Sequence, residues 1–324
     1  MEPADSRQQQ TAHYREIDQE AAGQRLDNFL LSCLKGVPRS HVYRLIRSGQ
    51  VRVNSGRVAP KYRVQQGDRI RIPPVQQRGT RSQLHDAGAL EWLAQRIVYE
   101  DSRLLVVDKP AGLAVHGGSG IDLGCIEALR SLRPGLKTLE LAHRLDRATS
   151  GCLMIAKRRS TLRLLHSLLR EGLVEKKYLA LLRGNWQHGS IEVDNALSTD
   201  RSPGEVRVRV DSGGKQALSR FALLDHYGVE ASFMDISIAT GRTHQIRVHA
   251  AHLDHPVAGD ERYGAADFNA RMQEHGLRRM FLHAHAVSFA WPDSEEEFSI
   301  SVPLPKELVG VLESLSQAGR NPRV

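Results

Sequence analysis

The sequence predicts an α+β protein in two parts: a small α/β module, then a larger domain around a mixed, mostly antiparallel sheet with flanking helices. Three observations carry this expectation. Between Gln24 and Pro74, apolar residues at helical spacing give way to strand alternation. After Arg96, alternating or continuous apolar segments outnumber helical ones. The basic charge is also unevenly placed, with eleven Lys or Arg against only Asp27 and Asp68 in residues 24–74. That stretch carries +9 of a net charge of +8, so the rest of the chain sums to −1.

Taken in order, residues 1–19 read as a flexible polar tail and 20–75 as the module. In RLDNFLLSCL, Leu26, Phe29, Leu30 and Leu34 share one helical face, and Gly36 and Pro38 break that helix. Ser40 is placed to cap a second helix that buries Val42, Leu45 and Ile46, turns Arg44 and Arg47 outward and stops at Gly49. Val51 and Val53, then Ile70 and Ile72, alternate with polar residues, and Asn54-Ser55-Gly56 turns the chain. Residues 76–92 are polar and aperiodic and read as a linker. In 93–324 the expected strands include IVYED, LLVVDKPAG, CLMIAK, KYLALLRGNW, MDISIATG and FSISV. A helix is expected from Ser160, as cap, to Gly172, as stop, and a last one from Pro305-Lys306 to Ser316. Asp211-Ser212-Gly213-Gly214 has the composition of a hairpin tip.

Composition narrows the class. The chain is 40% apolar and 25% charged, which suits an ordinary core-forming protein. No apolar run reaches the length of a membrane span, and the polar start lacks a signal-peptide core. Cys33, Cys125 and Cys152 are scattered without CxxC pairing, so reduced thiols and a cytoplasmic location are expected. The concentrated charge of 24–74 is the footprint of a phosphate-binding surface; the bland alternative is a solvated basic face.

The chemistry-bearing candidates lie further on. In LAHRLDRATSGCLMIAK, Asp146 stands between Arg144 and Arg147, ahead of an apolar strand. Nearby cations favour the ionised carboxylate, which would suit a nucleophile, although a turn cap or a structural ion pair needs the same residues. Tyr178 opens an apolar strand just after Lys176 and Lys177, either as a rim residue or as a ring that stacks on a base. In GRTHQIRVHAAHLDHP, alternation sets Ile246 and Val248 opposite Arg247 and His249, and Arg247 is a candidate ion-pair partner for Asp146. Metal binding through His244, His249, His252 and His255 lacks any ligand-spacing motif, so no metal is expected. No phosphate-loop, dinucleotide or nucleophile-elbow motif occurs in its required context, so no cofactor is expected either.

Residues 24–74, with PRSHVYRLIRSGQVRVNSGRV and KYRVQQGDRIRI, resemble the S4-like RNA-binding module. That likeness implies structured RNA as partner, with Arg39, Ser40, Arg44 and Arg47 as phosphate contacts. Residues 99–264 resemble the RluA family of RNA pseudouridine synthases through YEDSRLLVVDKPAG, HRLDRATSG, EKKYLALLRG, GRTHQIRVH and HPVAGDERYG, and LHAHAVSF extends the match. Within that family the layout is nearest to a subtype acting on large-subunit ribosomal RNA, and a second such subtype is similar in layout. The resemblance implies Asp146 as the catalytic aspartate, Tyr178 as the base-stacking tyrosine and Arg247 as the partner of Asp146. It also gives Arg144 the place vacated by a flipped uridine. Ile246 is expected to keep the pocket partly dry. The implied partner is 23S ribosomal RNA or a large-subunit assembly intermediate, met by a monomer with no membrane contact. Whether Asp146 attacks the anomeric carbon, attacks the base or deprotonates the ribose stays open at this level. A non-catalytic ribosome-assembly factor of the same fold is the competing reading; a methyltransferase with the same RNA module is a third, for which no cofactor loop is found.

Overall fold

The computed structural model describes residues 12–34, 37, 39–75, 87–117, 123–136, 138–202, 205–294 and 296–320. The chain divides into two compact units, 1–86 and 87–324.

The first unit contains β1 (His13–Glu16), α1 (Leu26–Cys33), α2 (Arg39–Arg47), β2 (Arg52–Val53) and β3 (Arg69–Ile72). Its sheet has the order β1-β3-β2, both pairs antiparallel. Residues 13–19 are therefore not a tail: β1 pairs with β3, and Ile17 is buried in the module's core. The exposed side chains of β1 conceal it from apolar pattern recognition. Leu26, Leu30, Val42, Ile46, Ile70 and Ile72 form that core, as their spacing predicts. Asn54 and Ser55 both have positive φ, +49° and +70°, the geometry of a tight two-residue hairpin turn. Asn54 locks the turn by donating to Asp68 Oδ1 at 2.8 Å and accepting from the Arg69 N–H at 2.8 Å. The helix α2 begins one residue before Ser40, so Ser40 lies exposed in its first turn rather than at the cap.

The second unit begins with α3 (Ala87–Ala94), which overlaps the segment expected as linker; its Leu90 and Leu93 are buried in the larger core. Residues 76–86 lie outside the described residues. There follow β4 (Ile97–Glu100), β5 (Leu104–Lys109), α4 (Cys125–Leu132), β6 (Glu140–Leu141), β7 (Ser150–Ala156), α5 (Arg159–Glu171) and β8 (Glu175–Arg183). Next are β9 (Ile191–Asp194), β10 (Leu197–Ser202), β11 (Glu205–Val210), β12 (Leu218–Tyr227), β13 (Ala231–Ile238) and α6 (Gln245–His252). The chain ends with α7 (Ala266–Glu274), β14 (Leu282–Ala290), β15 (Glu297–Ser301) and α8 (Lys306–Arg320).

Ten strands form one sheet along the path β4-β5-β7-β14-β8-β13-β12-β9, with β15 beside β14 and β6 beside β7. Every pairing in it is antiparallel except β14 with β7. The central strand β7 is buried along its whole length, as its unbroken apolar run requires. At its start Gly151 has φ +110°, and a Cβ there would lie 2.2 Å from the Ala284 carbonyl oxygen. Only glycine lets β14 pack so close to the residue that follows the Asp146 loop.

Three local expectations are corrected. Helix α5 is capped at Arg158 rather than Ser160, although Gly172 stops it at φ +73° as expected. The Asp211–Gly214 turn joins β11 to β12, which do not pair with each other, so it is not a hairpin tip. Residues 245–252 are helical, not extended. In QIRVHAAH the apparent alternation is the chance phase of a helix buried on nearly all sides, where apolar and hydrogen-bonded polar residues are equally hidden.

Candidate active site

Asp146 sits in the loop between β6 and β7, with its side chain 21% exposed. The guanidiniums beside it in sequence are not its partners. Arg144 is exposed, and Arg147 turns away to donate from Nε to the Gly112 carbonyl at 2.8 Å. Its cation is Arg247, 101 residues later, whose Nη1 donates to Asp146 Oδ2 at 3.0 Å. Arg247 lies in the first turns of α6 and is almost wholly buried.

A second carboxylate aims that arginine. Asp260 takes Arg247 side-on, with Nε to Oδ2 at 2.7 Å and Nη2 to Oδ1 at 2.8 Å. Asp260 Oδ1 also accepts the N–H groups of Arg262 and Tyr263. Burial works against the charge on Asp260, yet the hydrogen bonds from Arg247 hold its carboxyl below the usual range. A fork–fork pair of this kind fixes the guanidinium plane, leaving Nη1 directed at Asp146. The Tyr263 ring packs 5.1 Å from the guanidinium carbon.

His244 completes the surroundings. It occupies the left-handed region at φ +54°, as the residue capping α6, and places Nε2 3.9 Å from Asp146 Oδ2. Its Nδ1 pairs with the Tyr263 hydroxyl at 2.9 Å, and that oxygen accepts the Val208 N–H of β11 at 3.1 Å. Burial pushes the His244 imidazolium down, which favours the neutral ring. Both contacts to Asp146 reach Oδ2; among the described residues Oδ1 has no hydrogen-bond partner.

The loop itself is held from below by Lys109, at the end of β5. Its fully buried ammonium donates to the carbonyls of Pro110 and Leu113 at 2.9 Å and of Arg147 at 3.3 Å. Burial pushes this lysine down to about 8. The Arg147 carbonyl also accepts the Gly112 N–H at 2.8 Å, so the far side of the loop is pinned twice.

Tyr178, on β8, faces the same space. It is 7% exposed and lines, with Asp146, Arg144, Ile246, Arg247 and Leu282, a pocket of about 70 Å³. Burial first, and the charge of Asp146 second, push its phenol well up, so the ring is neutral. The pocket adjoins a cleft of about 1450 Å³ that shares Arg144, Asp146, His244 and Arg247 in its walls.

The structure thus brings together Asp146, Tyr178, Arg247, Arg144 and Ile246. Arg44, Arg47 and Ser40 are exposed on α2 of the first unit; the Arg39 side chain lies outside the described residues. Sequence reasoning missed Asp260, Lys109 and Tyr263. The one available signal for Asp260 was an acid directly after Gly259, inside a segment that resembled the family. The histidines form no metal cluster among the described residues. His249 bonds to Ser219 and to the Asn195 carbonyl, and His255 to the Arg183 carbonyl, so both are structural.

The site is thus a mixed sheet carrying an aspartate–arginine pair beside a buried tyrosine, at the edge of an open cleft. Residues 103–252 match the family model described as RNA pseudouridylate synthase, and 24–70 match the S4 domain. The chain belongs to the RluA family of RNA pseudouridine synthases. It is 48% identical to the "Ribosomal large subunit pseudouridine synthase C" of Haemophilus ducreyi, over 92% of this chain and 94% of the relative. Identity to the protein of that name in Escherichia coli K12 is 46%, covering 93% and 96%. Among solved structures, human RNA Pseudouridylate Synthase Domain Containing 4 matches with a TM-score of 0.59 at 25% identity, over 71% of this chain and 96% of its own. Its counterpart Domain Containing 1 gives 0.55 at 30%, over 69% and 94%.

Proposed function

We propose that this enzyme isomerises uridines of 23S ribosomal RNA, with Asp146 acting on the nucleotide, Tyr178 stacking on the base and Arg247 aiming the carboxylate. The observation that carries the reading is the division of Asp146: Oδ2 is taken by Arg247, and Oδ1 has no partner among the described residues. A carboxylate so divided has one oxygen for orientation and one for chemistry.

The reaction cleaves the bond between uracil N1 and ribose C1′ and joins C1′ to uracil C5; the C5 proton leaves to solvent and N1 takes one up. A uridine within a duplex cannot reach Asp146, so it must flip, at a cost of roughly a few kcal/mol of stacking. Arg144 is exposed at the mouth of the pocket, a position from which it can enter the vacated stack. Detached uracil needs a holder while it rotates, and the neutral ring of Tyr178 offers a stacking face. The apolar walls supplied by Ile246 and Leu282 limit attack by water on the open intermediate.

The basic module, through Arg44 and Arg47, supplies contacts to RNA phosphates that offset the cost of flipping. Residues 12–75 then form the RNA-binding module, and the catalytic domain begins with α3. The protein acts as a monomer in the cytoplasm, on free 23S RNA or a large-subunit assembly intermediate. The test is tritium release from 23S RNA that carries label at uridine C5. Wild-type protein releases the label; Asp146→Asn does not. Release that persists in the variant would sink the assignment of Asp146.

A further inference from the structure

A second cavity, of about 590 Å³, lies behind the uridine pocket and shares Arg144, Tyr178, Ile238, Gly241 and Arg242 with it. Its charged lining is mostly cationic, among apolar and neutral residues. Lys176, Arg242, Arg144 and Arg170 line it, with His143 and His166, whose rings burial holds neutral, against the single carboxylate of Glu171, which is exposed and accepts a hydrogen bond from Ser167. Lys176 is the unusual member. It sits two residues before Tyr178 on the same face of β8, it is 5% exposed, and among the described residues no carboxylate pairs with it. Among those residues its ammonium has one long hydrogen bond, to the Thr240 carbonyl at 3.4 Å.

A buried cation with three donors and one weak acceptor is a costly arrangement unless an anion completes it. The remaining polar groups do not supply one. The Thr240 hydroxyl is engaged with Gln245 and with the Leu218 N–H, and Arg242 donates its Nε to the Gln216 carbonyl. His143 uses Nε2 to accept the Met154 N–H at 3.1 Å. Burial, with the charge of Arg242 second, pushes Lys176 down to about 8, as expected of an ammonium without a counter-ion.

We infer that this cavity is a phosphate subsite: Lys176, with Arg242 at the rim, receives a backbone phosphodiester of the RNA strand next to the flipped uridine. This rests on the proposed action on ribosomal RNA. Anchoring that phosphate on the strand that also carries Tyr178 fixes how far the flipped nucleotide enters, so Lys176 is a positioning residue rather than a catalytic one.

The test is a thermodynamic cycle between protein and RNA, with the full chain and a 23S RNA fragment spanning the modified site. Single methylphosphonates replace the phosphodiesters flanking the target uridine, one at a time, and each fragment's Kd is measured with wild type, Lys176→Met and Arg242→Gln. Lys176→Met is expected to weaken binding roughly tenfold, as is one particular methylphosphonate, and the two together should weaken it little further. Effects that add fully at every phosphate would overturn the subsite, as would unchanged affinity in both variants. Arg242 is exposed, so Arg242→Gln keeps the test sharp if Lys176→Met fails to fold. Tritium release by the wild type from the unmodified fragment is followed in parallel. Its absence would refute the substrate reading, whereas release without coupling refutes the subsite alone.

Discussion

Arg247 divides one guanidinium between two carboxylates of different purpose. Asp260 is fully buried, and Asp146 is partly exposed, with Oδ1 unpartnered among the described residues. Two predictions follow from that division. Asp260→Ala leaves a buried arginine without its bidentate partner and should destabilise the catalytic unit by roughly 3–5 kcal/mol, read from urea denaturation. The same carboxyl sets an acid limit. Its folded value lies below the ordinary one, so its stabilisation is complete above about pH 4 and is lost as pH falls through the depressed value. Asp260→Asn should therefore show a flatter decline in stability below about pH 4 than the wild type; identical profiles would contradict the assigned pair. At this scale the sequence was informative where chemistry is rare. Local pattern made Asp146, Tyr178 and Arg247 candidates, and the family resemblance of their segments gave them roles. Asp260 could not be named, because an acid after glycine in a turn is common, and nothing local reveals that its partner lies 13 residues back on a helix.

Elements decide whether those residues meet. Strand β5 ends in Lys109, whose three carbonyl contacts tie the segment Pro110–Leu113 to Arg147 in the loop that carries Asp146. Lys109→Met should lower the melting temperature and loosen the loop, with a fall in kcat larger than any rise in KM. Its pH signature is distinctive. The folded lysine sits at about 8 against an ordinary 10.5, so the cost of burying its charge is fully present below pH 8. That cost fades as pH rises toward 10.5, and the wild type should gain stability relative to Lys109→Met across this interval. Gly151→Ala should abolish the fit of β14 against β7, by placing a Cβ 2.2 Å from the Ala284 carbonyl; soluble expression with a native circular-dichroism spectrum would contradict this. Strands with long apolar runs, such as β5, β7 and β8, were legible. Helix α6 was not, because six consecutive buried residues, three of them polar, erase the amphipathic stripe by which helices are recognised. Strand β1 was hidden for the opposite reason, since all four of its side chains are exposed.

On the scale of the whole molecule, charge and chemistry are separated into two units, each with its own core. The small module is held by more than packing. Asp27 is fully buried and accepts from Arg25, Tyr43 and the Asn28 N–H, and the Arg25 contact draws its carboxyl down to about 2. The exposed arginines of α2 are available to solvent and to phosphate alike. Replacing Arg44 and Arg47 together by alanine should weaken binding to 23S RNA and reduce the slope of log K against log salt by about 2, while tritium release at saturating RNA stays within about threefold. An unchanged slope would remove α2 from the RNA interface. The two-part build was legible because a +9 stretch in an otherwise neutral chain is a property of composition, independent of any fold. The boundary was less legible: α3 is too short and too weakly amphipathic to declare itself.

The parallel pairing of β14 with β7 also orders events in time. β7 begins at Ser150, but the strand that pairs with its first two residues on that side begins only at Leu282, and Arg247 follows Asp146 by 101 residues. During synthesis the module formed by residues 12–75 has all its strands and its core long before β14 leaves the ribosome. A nascent chain halted before Leu282 carries a complete basic module and no strand to pair with Ser150 and Gly151 on that edge of β7. The capacity to hold RNA is thus born first and the capacity to alter it last, so a truncated product would compete for RNA without modifying it.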